Sequence, residues 1–149
     1  MRTLLFLIGF GFAFSLQAQD QCNTAEDCFQ RGLRTLFDKE KLAYQNECFS
    51  KAIKLDPKYM EAYHYRGGNY YKQALYKDAL KDYDKYIALM GKSAKPSKYM
   101  LAKVHYQRAE TYAKLNKPKE ALADFKKAAD IMPKEEKYTT AYNTAKAKK

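Results

Sequence analysis

Two stretches of this chain carry one sparse pattern at one spacing, and that repetition limits the fold more than any single residue does. Gly67, Tyr70, Ala79, Tyr83 and Tyr86 recur at intervals of three, nine, four and three residues. Ala109, Tyr112, Ala121, Phe125 and Ala128 recur at the same intervals, and Pro133 follows five residues later. A small residue and an aromatic three apart share one helix face, and a second small residue nine further on falls past a turn, on an antiparallel helix. The small residues let two backbones approach, and the aromatics fill the space beside them. A helix pair of this kind cannot bury its apolar face alone, so it must stack on copies of itself. Any function then belongs to a surface shared between copies.

The pattern resembles the tetratricopeptide repeat, in which Gly, Tyr, Ala, Phe and a closing Pro are spread over a unit of about 34 residues. A weaker copy lies upstream, from Gly32 to Phe49, Ala52 and Pro57. In it Thr35 stands where tyrosine is expected, and Gly32 to Phe49 is one residue longer than the matching interval in the other copies. In the second copy Tyr86 replaces the usual Ala and Gly91 the Pro. Gly67 and Ala109 are 42 residues apart, eight more than one unit, so the Gly/Ser/Pro/Lys stretch after Met90 is either an exposed loop or an extension of the flanking helices. Beyond Pro133, Tyr138, Ala141, Tyr142 and Ala145 keep a three-four-three rhythm among polar residues, as a terminal capping helix with one wet face requires. The resemblance implies an all-α fold, a short α-solenoid of antiparallel helix pairs at 25–149. Its repeats fall at about 25–58, 60–93 and 102–135, with a capping helix at about 136–147 and a short segment at 19–24 before them.

The N-terminus follows a different logic. Arg2 precedes an unbroken apolar run from Leu4 to Phe14, and Ala18 is a small residue just before Gln19. The run is too short for a helix that spans a bilayer, which needs about 20 residues, but it suits the core of a secretory signal. Residues 1–18 therefore read as a signal peptide, and the mature chain as exported, periplasmic or secreted; an uncleaved anchor is the competing reading. Lipid attachment at Cys22 is disfavoured, because Gln19, Asp20 and Gln21 stand where a bacterial lipoprotein site has aliphatic and small residues. Nothing after the signal is apolar enough to cross a membrane.

Cys22, Cys28 and Cys48 all remain after cleavage, an odd number for an oxidising compartment. If the first unit folds like the others, Cys28 lies near the start of its first helix and Cys48 near the end of its second, and antiparallel packing brings those ends together. A Cys28–Cys48 disulfide is expected on that ground. Cys22–Cys28 is the competing pair, and free buried thiols are the third alternative.

The net charge of +11 is unevenly spread: twelve Lys/Arg against eleven Asp/Glu from Gln19 to Met90, but fifteen against six from Gly91 to Lys149. Such asymmetry favours acidic partners through long-range attraction, although lysines such as Lys117, Lys119, Lys126 and Lys127 also fit a solvated helix surface. Catalysis finds no support. The two histidines, His64 and His105, sit in repeat helices at the aromatic-rich start of their units, and no Ser/His/Asp set or paired carboxylates stand apart from the helix pattern. The cysteines lack metal-ligand spacing and neighbouring histidines, and Gly67-Gly68 lacks the Lys-Ser/Thr of a phosphate loop. No enzyme activity, cofactor, metal or specific nucleic-acid partner is expected.

The family resemblance implies a non-enzymatic scaffold or adaptor that takes a peptide or protein segment on the concave face formed by the first helices of successive repeats. Helical spacing from Gly67 and Ala109 assigns His64, Tyr65, Gly68, Tyr71 and Lys72, then Lys103, Tyr106, Gln107 and Glu110 to that face; Phe29 and Leu33 continue it into the first repeat. Some of these tyrosines have packing between repeats as their alternative role. The clamp that related repeats use for chaperone C-terminal carboxylates needs Lys and Asn on these turns, and of Phe29, Leu33, His64, Gly68, Lys103 and Gln107 only Lys103 suits it. The rival reading is an envelope component that binds anionic glycan or lipid through the lysine-rich C-terminal half.

Overall fold

The computed structural model describes residues 22–148, which form seven α-helices and no strand: α1 Ala25–Arg34, α2 Leu42–Leu55, α3 Met60–Lys72, α4 Tyr76–Met90, α5 Lys98–Lys114, α6 Pro118–Ile131 and α7 Glu136–Ala147. The expected signal peptide lies outside the described residues. Local chemistry sets the helix ends. The Thr24 hydroxyl accepts the Asp27 N–H at 3.1 Å at the start of α1, Ser97 does the same for Met100 at α5, and Pro118 opens α6, where its missing N–H costs nothing. The chain leaves α3 and α5 through left-handed residues, Ala74 at φ 59° and Asn116 at φ 55°. Beyond them the Leu75 N–H reaches the Tyr70 carbonyl at 2.9 Å and the Lys117 N–H the Tyr112 carbonyl at 3.0 Å, so both helices close in the same way.

Helices α1 and α2, α3 and α4, and α5 and α6 pack as pairs; the second helix of each pair packs on the first helix of the next, and α7 closes the stack against α6. The small residues of the repeated pattern stand at the closest crossings. A Cβ on Gly32 would lie 2.5 Å from the Phe49 ring, and one on Gly67 would lie 3.0 Å from the Tyr83 ring; Ala79 and Ala109 are wholly buried. The extra residue of the first copy is taken up between α1 and α2. There the chain makes a short 3-10 segment at Lys39–Lys41 and leaves Phe37 96% exposed. The extra length before Ala109 takes both forms anticipated for it, an exposed loop at 91–97 and longer flanking helices: α4 and α5 run to 15 and 17 residues against 13 for α3.

Buried polar residues tie the pairs together. Arg66 donates to both carboxylate oxygens of Asp82 at 2.7 and 2.8 Å and to Ser50 in the preceding pair at 2.9 Å. Arg108 repeats the arrangement, bidentate on Asp124 at 2.6 and 2.8 Å and reaching back to Asp84. His105 bonds the same Asp124 at 2.9 Å. Burial alone would raise the Asp124 carboxyl, but Arg108 and His105 together hold it below its ordinary range. Asp82 has only its guanidinium partner, and there burial prevails and pushes the carboxyl up. In the first pair Cys48 occupies the place before the aromatic that Asp82 and Asp124 hold in the others.

The expected Cys28–Cys48 bond does not form. Cys22 and Cys28 are joined, with Cα atoms 5.0 Å apart, and Cys48 is a buried free thiol. The reason is register. Cys48 sits at the middle of α2, not near its end, so it stands level with Arg31 rather than with Cys28, and a small cavity is lined by Arg31, Cys48, Lys51 and Cys22. Burial pushes the Cys48 thiol above its ordinary range, which keeps it protonated and unreactive.

Candidate binding groove

The first helices α1, α3 and α5 share one side of the stack, and α3 and α5 touch directly, as helices on the inner side of a curved stack do. Of the residues assigned to that side, Phe29, Leu33 and Tyr65 belong to an internal aromatic cluster. Phe29 is 6% exposed, with ring centroids 5.7 Å from Phe49, 5.1 Å from Tyr59 and 5.5 Å from Tyr65. Leu33 and Tyr65 are half-buried against the same group. Tyr59, in turn, donates its hydroxyl to Glu26 at the start of α1. The α1–α3 seam is thereby closed by packing, and Phe29 contributes area to the stack rather than to a ligand.

His64 is also withdrawn, at 5% exposed. Its Nε2 lies 2.9 Å from Gln107 Oε1, a bond between the second and third pairs, and its Nδ1 is buried without a partner. Burial drives the imidazole down to about 4, against the Gln107 hydrogen bond and helped by the Lys103 charge. The ring is therefore neutral near pH 7, with Nε2–H donating to Gln107. Tyr106 likewise fills a seam: its ring is 5.5 Å from Phe125 and 5.6 Å from Tyr138, with the Lys137 ammonium 4.3 Å above it. Burial and the neighbouring Glu110, which it hydrogen-bonds, raise its hydroxyl to about 12.

What stays open lies between α3 and α5. A Cβ on Gly68 would meet no atom within 4 Å, so this glycine faces space where Gly67 beside it faces a ring. Tyr71 is half-buried, edge-on to Tyr76 at 5.6 Å, with its hydroxyl raised by burial and then by Glu110. Lys72 is exposed, and Lys103, Gln107 and Glu110 are half-buried. The open surface thus combines a glycine floor, one phenol, one amide, two ammonium groups and one carboxylate. That set can bond an extended main chain in both directions and take side chains of either charge. The histidine, cysteine and acidic residues do not assemble into a group of three or more suited to a metal ion among the described residues.

Spacing alone did not mark the Arg66–Asp82 and Arg108–Asp124 ties, although the signal was present: both arginines and both aspartates are offset by the same 42 residues as Gly67 and Ala109. A second feature, an apolar cleft of about 380 Å³ lined by Ala113, Ala121, Phe125, Ala141 and Ala145, lies between the third pair and α7. It could not be read from a pattern that treats the capping helix as a flush lid. No helix among the described residues is long and apolar enough to cross a membrane.

Residues 102–135 match the Tetratricopeptide repeat family profile, and no curated relative matches the chain. Among solved structures, the first such domain of Spaghetti (RPAP3), bound to the HSP90 peptide SRMEEVD, is similar with a TM-score of 0.70 and 20% identity over 83% of this chain and 90% of that one. The N-terminal domain of stress-induced protein-1 from C. elegans gives 0.73 and 15% over 82% and 94%. The Yersinia enterocolitica type III secretion chaperone SycD, in complex with a peptide of the translocator YopD, gives 0.70 and 13% over 83% and 92%. At these identities the likeness is one of fold, and it agrees with the small-residue crossings and stacked pairs described above. Residues 102–135 match one tetratricopeptide repeat, and residues 22–148 have the fold of tetratricopeptide repeat domains, three helix pairs and a capping helix.

Proposed function

We propose that this protein is an exported, non-catalytic adaptor whose α3–α5 cleft takes an extended segment of a partner protein. The observation that carries the reading is Gly68, which leaves the floor of the cleft open beside Tyr71, Lys103, Gln107 and Glu110 while the neighbouring seams are closed by aromatic packing. Peptides seated on similar domains in Spaghetti and SycD support it by fold. Export rests on the apolar run of residues 4–14 and Ala18. The two lysines favour an acidic stretch in the ligand, and Glu110 limits how acidic it can be.

The test uses Gly68→Leu. Its side chain enters open space, so the fold is kept and the cleft is filled. A partner captured from the envelope fraction by the native chain should be lost with Gly68→Leu and kept with Lys126→Glu combined with Lys127→Glu, since both lysines are exposed on α6, away from the cleft. The reverse outcome would move the preference to the rival reading, recognition of an anionic glycan or lipid through the C-terminal half. Intact mass of the protein from the same fraction tests export: a chain that begins near Gln19 supports it, and a retained Met1 refutes it.

A further inference from the structure

The stack sorts the charge of this chain by edge, not only by half. All the connections within pairs, α1–α2, α3–α4 and α5–α6, lie on one edge together with the C-terminal end of α7. The contacts between neighbours fix this: Asn46 at the start of α2 donates to Gln73 at the end of α3 at 3.0 Å, Leu75 and Leu115 line one cleft, and Asn116 and Lys148 line another. Take each connection with three residues on either side, and the last turn of α7 with Lys148. The first turn then carries Arg34, Lys39 and Lys41, and the second Lys72 and Lys77. The third carries Lys114, Lys117 and Lys119, and the end of α7 Lys146 and Lys148. Every one of these ten cations is exposed, and only four carboxylates, Asp38, Glu40, Asp78 and Glu120, share the edge. The same window on the opposite edge, with the start of α1, holds seven cations and seven carboxylates.

The basic edge also carries apolar side chains that nothing covers. Phe37 is 96% exposed at the tip of the first turn, and Leu75 is 47% exposed at the second. Leu55 and Tyr99 are about half exposed on the opposite edge, but there the charge cancels. A row of cations around a protruding phenylalanine has the chemistry of a surface that rests on anionic lipid: the lysines meet headgroups, and the ring enters the interface. A soluble polyanion would use the lysines and leave the phenylalanine in water. We propose that this edge docks on an anionic bilayer surface, with Phe37 inserted, so that the protein lies on the membrane with its α3–α5 cleft still open to a partner. This binding shares only Lys72 with the cleft: it refines the rival reading above by location and by the need for Phe37.

The experiment is co-sedimentation of the natively processed protein with vesicles of phosphatidylcholine and phosphatidylglycerol in a two-to-one ratio, against pure phosphatidylcholine. Binding should require the anionic lipid and weaken with salt. Lys114→Glu, Lys117→Glu and Lys119→Glu together should lower partitioning by well over tenfold, since each cation near such a surface is worth about fivefold. Lys92→Glu, Lys95→Glu and Lys98→Glu, the same charge change on the opposite edge, should lower it far less. Phe37→Ser should reduce it by about tenfold, and a tryptophan at that position should blue-shift on binding. Equal losses from the two lysine triplets, equal binding to neutral vesicles, or an unchanged Phe37→Ser would each overturn the proposal. Tighter binding to soluble heparin than to vesicles, indifferent to Phe37, would assign the edge to polyanions instead.

Discussion

Three glycines on first helices allow one substitution to be made in three environments. Alanine is favoured over glycine inside a helix by about 1 kcal/mol, and at Gly68 nothing opposes that gain, because a Cβ there has no atom within 4 Å. Gly68→Ala should therefore stabilise by about 0.5 to 1 kcal/mol, roughly 2 to 4 °C in Tm for a domain of this size. At Gly67 the same methyl lies 3.0 Å from Tyr83 Cε1 and 3.2 Å from Asp82 Cβ. Neither can yield easily: Tyr83 is 1% exposed, and Asp82 is held by Arg66. Overpacking of this kind costs about 1 to 3 kcal/mol, so after the helical gain the net loss is about 0 to 2 kcal/mol. At Gly32 the methyl would be 2.5 Å from Phe49 Cε1, and the ring must move within a cluster shared with Phe29 and Tyr65. The loss there should be the largest, about 2 kcal/mol or more. Thermal and urea unfolding followed by circular dichroism read all three. Gly68→Ala above the native Tm, Gly67→Ala at or below it and Gly32→Ala lowest is the expected order. A destabilised Gly68→Ala, or three equal shifts, would refute the register of α1 and α3 against their partners.

Ala74 sits at φ 59°, so Ala74→Gly should stabilise by about 1 kcal/mol in urea unfolding, while a β-branched residue there should destabilise. Alkylation of the unfolded, unreduced protein should modify one cysteine, Cys48, and native Cys48 should resist the same reagent; modification of all three would refute the Cys22–Cys28 bond. Because the folded His64 titrates near 4, below its ordinary value, the native state binds fewer protons than the unfolded one between those limits. Its contribution is intact above about pH 6.5 and lost as pH falls towards 4, by about 3 kcal/mol at most; His64→Phe should flatten this limb, and an unchanged pH profile would count against the burial of the ring. Tyr65→Ala should destabilise the fold through loss of its contacts with Phe29 and Phe49, by about 2 kcal/mol or more, and lower Tm accordingly, whereas Tyr71→Ala should weaken partner capture with a smaller loss of stability. Equal Tm shifts would place both rings in the same environment and refute the distinction.

The helix pairs were legible because small residues at Gly67, Ala79, Ala109 and Ala121 and the rings beside them encode a local crossing, and a crossing repeated along the chain can be met only by stacking. The capping helix was legible for a similar reason, since the rhythm from Tyr138 to Ala145 has one apolar side. Spacing also led to the side of the stack that the first helices share. It could not separate side chains that face a ligand from those that face the next pair, because both kinds recur with the same period. Phe29, His64 and Tyr106 differ from Gly68 and Tyr71 only in what stands opposite them, and that is supplied by residues such as Tyr59, Gln107 and Tyr138, between 30 and 43 positions away.

The disulfide shows the same division. Three cysteines and an odd count are sequence facts, but which two meet depends on the register of α2 against α1, in which Cys48 borders the same small cavity as Arg31. Charge behaves alike. Composition located the excess of lysine in the C-terminal half, whereas the antiparallel stack gathered lysines from both halves onto one edge with Phe37. Periodicity along a helix is a property of neighbouring residues, so the sequence carries it alone; the company a side chain keeps across a seam or along an edge is decided by residues far apart in the chain, and only the packed structure brings those together.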